Sequence, residues 1–444
     1  MPKVMGPITG GQKNRPFWTM ATLMESRGYI EEEYFFSGVA NTYAPVGELS
    51  DDGKWSVKVE KSTPYTTRML VRRPRDASKF NGTVIVEWMN VSVGSDNSGV
   101  TDVYDGFAYA GISAQSVGVN GFEKDPKGLR AWDPVRYGSL SVPGESLSYD
   151  IFCQGAVAVG PNRQGAGVDP MGGLKVRKLI ATGGSQSGAR LHTYINALQP
   201  RDNVFDAFVP TVTGPTGSHF SDAVGTSSED RTRVPTPPAR IRSDSAVPVL
   251  WVNSETEAPR TYAYRQPDTD TFRYWEIAGS SHFNIQVMEF GAIGAQQNFG
   301  VQVLPDMSKN HVGWMDVADA ALQRTHEWLV AGKLPRAFAP ITFAAGSTRD
   351  IVRDQYGNAT GGVRLPQLEV PIARYLGSNP NIPGDPAGVT EPFSAEKLKA
   401  LYPTHADYVA KVKAAAEAAE KAGVILARCR ARYVKKAEAE KVPA

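Results

Sequence analysis

The chain has 444 residues, 41% hydrophobic and 21% charged, a balance that excludes disordered and fibrous chains and leaves material for a sizeable buried core. Lys and Arg number 48 against 46 Asp and Glu, a formal net charge of +2, so no global field draws nucleic acid or an anionic membrane and neither is an expected partner. Cys153 and Cys429 are the only cysteines; far apart and without CxxC spacing, they suggest neither a disulfide framework nor a metal site, and a reducing compartment is expected.

The N-terminal segment Met1 to Phe17 has no uninterrupted apolar run before a small-residue cleavage site. No later stretch approaches the roughly 18 to 20 apolar residues that cross a bilayer. A cytoplasmic protein is the expectation. Residues 1–80 alternate apolar and polar positions in segments such as Trp55 to Val59 and Thr66 to Val71, with Asp52-Gly53 as a turn between possible strands, which predicts antiparallel strands. At Thr83 to Met89 the pattern becomes a continuous apolar run, as a strand buried on both faces requires. A second run follows at Phe107 to Ala114.

Between Val117 and Leu147 Gly, Pro and aromatic residues accumulate and predict an irregular excursion. Ser148 to Val159 reads as a helix and Val176 to Thr182 as another inner strand, which runs directly into Gly183-Gly184-Ser185-Gln186-Ser187-Gly188. After that turn Leu191, Tyr194, Ile195 and Leu198 fall at helical spacing. Phe205 to Val212 and Val247 to Asn253 read as strands around a polar stretch, Thr213 to Ala246, expected to be a lid or surface loop. Tyr274 to Ala278 is a last strand before Gly279-Ser280-Ser281-His282, and Trp314 to Val330 a helix stopped by Gly332 and Pro335. A Pro/Gly-rich region from Ala337 to Pro392 precedes terminal helices, of which the last opens at a Thr404/Asp407 capping box.

Strand, Gly-x-Ser-x-small turn and helix in that order make a nucleophile elbow, with Ser185 as the nucleophile. Small neighbours are needed because the turn is sharp and the serine backbone strained. Ser187 stands where a second glycine is usual. The alternative, a nucleotide-binding loop, fails on spacing: Ser185 occupies the position that G-x-G-x-x-G reserves for glycine, and no Gly-Lys-Ser/Thr follows. The helix start offers the backbone N–H of Gln186 as an oxyanion donor.

An elbow serine takes an acid and then a histidine later in the chain. Among His192, His219, His282, His311, His326 and His405, His282 has the required position after a late strand, with His219 a weaker alternative. The acid should follow the strand ending at Asn253. Glu257 is the choice there and Glu255 the alternative, since only a carboxylate held against imidazole Nδ1–H is required. A second oxyanion donor is placed at the backbone of Asn90 or Val91, after the first inner strand. Asp96 and Asp102, in a Gly/Ser/Asn-rich loop, read as turn formers. Trp88, Phe122, Trp132 and Tyr137 are candidates for lining a substrate pocket.

With the strand ending Val86-Glu87-Trp88-Met89-Asn90, the elbow Gly184-Ser185-Gln186-Ser187-Gly188, Ser254-Glu255-Thr256-Glu257 and Gly279-Ser280-Ser281-His282, the chain resembles the α/β-hydrolase superfamily. More narrowly it is similar to a bacterial family of alpha/beta hydrolase domain-containing proteins. The resemblance implies an α/β fold: a mostly parallel central sheet flanked by helices, with loop or lid insertions and a C-terminal helical extension. It divides the chain into N-terminal strands over 1–80, a hydrolase core over 81–335 with insertions at 117–147 and 213–246, and an extension over 336–444 packed on that core.

It also implies acyl transfer with Ser185 as nucleophile, His282 as general base and acid, and Glu257 as orienting acid. The expected activity is hydrolysis of a small, partly apolar carboxylic ester, without metal or cofactor. The motifs do not distinguish leaving groups, so an amidase, peptidase or lactonase stands beside the esterase. A non-catalytic hydrolase-fold binding protein is the rival from another class.

Overall fold

The computed structural model describes residues 1–99, 105–165, 167–223, 234–382 and 384–443. Asp102 and part of the 213–246 insertion therefore lie outside the described residues. The chain forms two compact units, Met1–Val249 and Leu250–Ala444.

In the first unit seven strands run in the order β1-β2-β3-β5-β4-β6-β7. They are β1 (Lys3–Met5), β2 (Tyr29–Pro45), β3 (Val57–Pro74), β4 (Thr83–Trp88), β5 (Ala108–Ile112), β6 (Lys178–Gly184) and β7 (Ala207–Thr211). β1, β2 and β3 are antiparallel, and β3 joins β5 antiparallel with Met69 opposite Ile112. From there the sheet is parallel: β4 pairs with both β5 and β6, and β6 with β7. Every residue of β4 and β5 is buried, which is why their sequences are largely apolar; the charged exception in β4, Glu87, is satisfied by the hydroxyls of Ser98 and Tyr109.

The segments expected at Trp55 to Val59 and Thr66 to Val71 fall largely in one strand, β3, which forms a hairpin of 18- and 17-residue strands with β2, paired from Tyr29/Pro74 to Pro45/Val57 with a register shift between Thr42 and Tyr43. Asp52-Gly53 lies in its turn, with Gly53 at φ +73°. Helix α1 (Ser148–Val159) covers the range expected of it and packs on β2, β4 and β5. Its Phe152 stacks on Trp88 with ring centroids 4.5 Å apart.

The 117–147 excursion is ordered rather than irregular, with short helices at Ser116–Asn120, Leu129–Trp132 and Pro134–Tyr137. Arg136 from it bonds Glu33 of β2 at 2.6 Å and reaches the carbonyls of Ile8 and Gly10. Glu33 also pairs with Arg68 of β3, and Arg68 with Asp96, at 2.9 and 3.0 Å and without solvent exposure. Asp96 is thus the buried partner of a cation and not a turn former. Burial opposes the Arg68 charge, but Asp96, Tyr137 and Glu33 outweigh it and hold the guanidinium protonated. Within the 213–246 insertion, β8 (Thr216–Ser218) and β9 (Pro235–Pro238) form a small antiparallel pair.

In the second unit β10 (Val249–Ser254, from its second residue on) and β11 (Phe272–Ile277), both buried along their length, are hydrogen-bonded neighbours. A small antiparallel pair follows, β12 (Ala373–Leu376) with β13 (Val389–Pro392). Val370, Leu398, Tyr402, Tyr408, Val412, Ala437 and Val442 form a separate apolar cluster. Its two long terminal helices are His405–Lys421, with Thr404 accepting from the Asp407 N–H at 3.1 Å, and Ala427–Ala439. No described helix is long and apolar enough to cross a membrane. Cys153 and Cys429 are free and buried.

Candidate active site

β6 ends at Gly184, and helix α2 (Gln186–Thr193) begins one residue after Ser185. Ser185 joins them at φ +56° and ψ −115°, a conformation that L-residues avoid at a cost of about 1–3 kcal/mol. The surroundings hold it there. The Ser185 N–H donates to Thr211 O of β7 at 3.0 Å, and its carbonyl accepts from Ala189 N at 2.9 Å. The Asn90 side chain donates to Gly184 O at 2.9 Å.

The small neighbours have a measurable reason. A Cβ on Gly184 would lie 2.8 Å from Thr211 Oγ1, and one on Gly188 would lie 3.0 Å from both Thr211 O and Thr213 Cβ. Ser187 fits because its buried hydroxyl accepts from Gly184 N at 3.1 Å and donates to Gly184 O at 2.9 Å. The hydroxyl staples the turn that a glycine would leave open.

Of the expected oxyanion donors, Gln186 is the first residue of α2, where N–H groups lack intrahelical acceptors. Asn90 N–H is committed to Asn97 O at 2.9 Å. Val91 N–H meets the Gln186 side-chain oxygen at 3.5 Å, a distance at the limit of hydrogen bonding. The four aromatic candidates for a pocket are buried. Trp88 donates to Gln115 and stacks on Phe152. Tyr137 donates to Glu33 and accepts from Phe17 N, Trp132 meets Phe17 edge-on, and Phe122 packs with Val91 and Val117.

In the second unit, the loop after β11 carries His282 and the loop after β10 carries Glu257. His282 Nδ1 lies 2.8 Å from Glu257 Oε1. A carboxylate there accepts from Nδ1–H, which leaves the Nε2 lone pair to take a proton. Glu257 is fully buried, and its second oxygen accepts from the Ser254 hydroxyl at 2.6 Å and the Ser254 N–H at 3.1 Å. Burial alone would raise its pKa; attraction to His282 and the hydrogen bonds from His282 and Ser254 prevail and hold the carboxyl below its ordinary value.

Glu255 points elsewhere: it accepts from Gly279 N at 2.7 Å, Gly377 N at 3.1 Å and Arg353 at 2.8 Å. Of the other histidines, His192 is buried in α2 against Ala239 O, His219 packs edge-on to Phe220, His311 faces Met307 O and His405 faces Val442 O. His326 lies within helix Met315–Ala331.

Sequence reasoning missed several supports of this arrangement. Ser254 and Thr256 lie inside the motif that carries the glutamates, so alternation of hydroxyl and carboxylate in Ser254-Glu255-Thr256-Glu257 was the available signal. Trp314, which donates to His282 O at 2.9 Å, gave none. Among the described residues no group of three or more His, Cys, Asp or Glu is arranged to hold a metal ion.

Residues 4–435 match the family model described as an alpha/beta hydrolase domain. No curated protein matches the chain. Among solved structures, brefeldin A esterase, a bacterial homologue of human hormone-sensitive lipase, aligns over 39% of this chain and 40% of its own at 10% identity and a TM-score of 0.20. The alignment thus spans two-fifths of that esterase. The glucuronoyl esterase of Solibacter usitatus aligns over 70% of this chain and 78% of its own at 9% identity and a TM-score of 0.28. Likenesses that low carry no argument about chemistry; the family match, which takes in nearly the whole chain, does not depend on them. By that match, and with a mostly parallel central sheet flanked by helices, the chain belongs to the alpha/beta hydrolase domain family.

Proposed function

We propose that the protein hydrolyses small carboxylic esters through an acyl-enzyme on Ser185, with His282 as general base and acid and Glu257 as orienting acid. The observation that carries this reading is the His282–Glu257 pair. A carboxylate that is fully buried, placed 2.8 Å from Nδ1 and supported on its far side by Ser254 has the place and the charge needed to fix the tautomer and stabilise an imidazolium.

In the proposed reaction Nε2 of His282 removes the Ser185 hydroxyl proton as Oγ attacks the ester carbonyl. The tetrahedral oxyanion collapses to the acyl-enzyme, and the imidazolium returns its proton to the leaving alkoxide. Water, deprotonated by the same Nε2, then attacks the acyl carbonyl and regenerates Ser185. The N–H groups of Gln186 and Val91 are the proposed oxyanion donors. With Asn90 N–H already bonded to Asn97 O, the second donor falls to Val91, whose weak contact with the Gln186 side chain a carbonyl oxygen could replace.

The test is hydrolysis of a p-nitrophenyl ester series by the wild type, Ser185→Ala and His282→Ala. Turnover by the wild type that drops at least about 10³-fold in both variants is expected. Turnover that survives Ser185→Ala overturns the mechanism, and a wild type inert to every ester overturns the substrate class.

A further inference from the structure

The five residues Gly279 to Phe283 belong to no helix or strand, yet they are pinned at nearly every polar backbone group. Gly279 N–H donates to Glu255 at 2.7 Å, and Gly279 O accepts from Asn310 at 2.6 Å. Ser280 O accepts from Glu255 N at 3.0 Å. His282 N–H donates to Thr256 Oγ1 at 2.9 Å. Phe283 N–H donates to Pro386 O at 2.9 Å, and the Ser281 hydroxyl to Ala387 O at 2.8 Å. A loop held so completely has little freedom to move its imidazole.

Many of these bonds trace to the stretch 353–388, which the sequence presents as a Pro/Gly-rich appendage. The pivot is Glu255, which is 3% exposed. One of its oxygens holds Gly279, while the other takes Arg353 and Gly377 N–H. Thr256, which holds His282 N–H, donates in turn to Gly377 O. Only glycine fits at 377, since a Cβ there would lie 2.6 Å from Glu255 Cβ and 2.8 Å from Ser280 O. Asn310 bonds Gly279 O and Leu376 O together.

We infer that Glu255 and Arg353 are positioning residues for His282, and that Arg353, Gly377, Pro386 and Ala387 form a clamp that fixes the histidine loop with them. Glu255, the nearer of the two glutamates to the strand end, is thus a brace while its neighbour Glu257 faces the imidazole. The guanidinium gives this buried carboxylate a cationic partner beside its two backbone N–H donors, so that both of its oxygens hold a neighbour in place. The catalytic part of this inference rests on the ester-hydrolase reading.

The test compares the wild type with Arg353→Ala, Arg353→Lys and Glu255→Gln. The readouts are kcat per active site titrated with a fluorophosphonate, KM for a p-nitrophenyl ester, and hydrogen exchange of peptides covering 279–283 and 178–193. Arg353→Ala should lower kcat per titrated site about tenfold with KM changed less than about twofold, because a displaced base slows chemistry without weakening ground-state binding. Exchange should rise in 279–283 and not in 178–193, Glu255→Gln should behave likewise, and Arg353→Lys should recover most of the rate. Merely lost stability would lower the titratable fraction and leave the rate per site intact.

Unchanged exchange in 279–283 overturns the clamp whatever the activity. Faster exchange with an unchanged rate per site overturns the positioning role. A wild type that neither hydrolyses esters nor reacts with the fluorophosphonate overturns the ester-hydrolase reading, and the positioning role with it.

Discussion

Two glutamates two residues apart meet different fates because of what surrounds each carboxylate. Glu257 has one oxygen on His282 and one on Ser254, with Arg260 at 3.4 Å and largely exposed, so its main charged neighbour is the imidazole. Glu255 spends its charge on Arg353 and two backbone N–H groups. Under the proposed mechanism Glu257→Gln should lower kcat by about 10³- to 10⁴-fold, since an amide in place of the carboxylate neither fixes the tautomer nor stabilises the imidazolium. Glu255→Gln should cost only about tenfold, the scale of a misplaced group. Kinetics on one p-nitrophenyl ester decide this, and equal losses in the two variants would contradict the division of roles.

The parallel strands were legible in the sequence because burial on both faces leaves a signal in the strand itself: Thr83–Trp88 and the run into Gly184 are largely apolar segments without alternation. The elbow was legible for a similar reason, since a strained turn admits only small residues and helical spacing follows it. The helix Ile285–Phe299, three residues after His282, was not anticipated. Only Ile285, Gly294 and Asn298 of its 15 residues are buried, so it carries no clean apolar stripe to read. The β2–β3 hairpin was read as fragments because ion pairs such as Glu33–Arg68 lie where an apolar side chain would mark an inward face. The same chemistry hid Asp96, since a carboxylate satisfied by a buried arginine far away in sequence looks in isolation like any turn residue. The aromatic residues of the 117–147 excursion suggest a pocket lining in the sequence; the contacts of Trp132 with Phe17 and of Tyr137 with Glu33 join residues too far apart in the chain to be read from it. Glu255, Thr256 and Asn310, whose side chains hold the loop around His282, bond backbone groups distant in sequence, and those acceptors and donors leave almost no trace in residue identity.

The family match runs to residue 435, so it takes in helix His405–Lys421 and most of Ala427–Ala439. For the molecule as a whole, the clearest pH-dependent term is His192. Burial lowers its pKa from an ordinary 6.5 to about 4, against a smaller opposing effect of its bond to Ala239 O. Below about pH 6.5 the unfolded chain takes up a proton that the folded chain refuses, so stability declines on acidification until the folded ring itself protonates near 4. The loss over that window is on the order of 3 kcal/mol. Glu257, held below its ordinary value, adds a further loss at lower pH, as acid reaches its folded pKa. Urea midpoints measured from pH 7 to 4 should fall steeply in the wild type and more gently in His192→Gln; parallel curves would contradict the assignment to His192.

The most direct test of the central claim is to react the wild type with a fluorophosphonate and locate the adduct by peptide mass spectrometry, with Ser185→Ala and Ser187→Ala alongside. A single adduct on Ser185, absent in Ser185→Ala and retained in Ser187→Ala, is the predicted result. No adduct on the wild type, or an adduct on another serine, would contradict the assignment of Ser185 as the nucleophile.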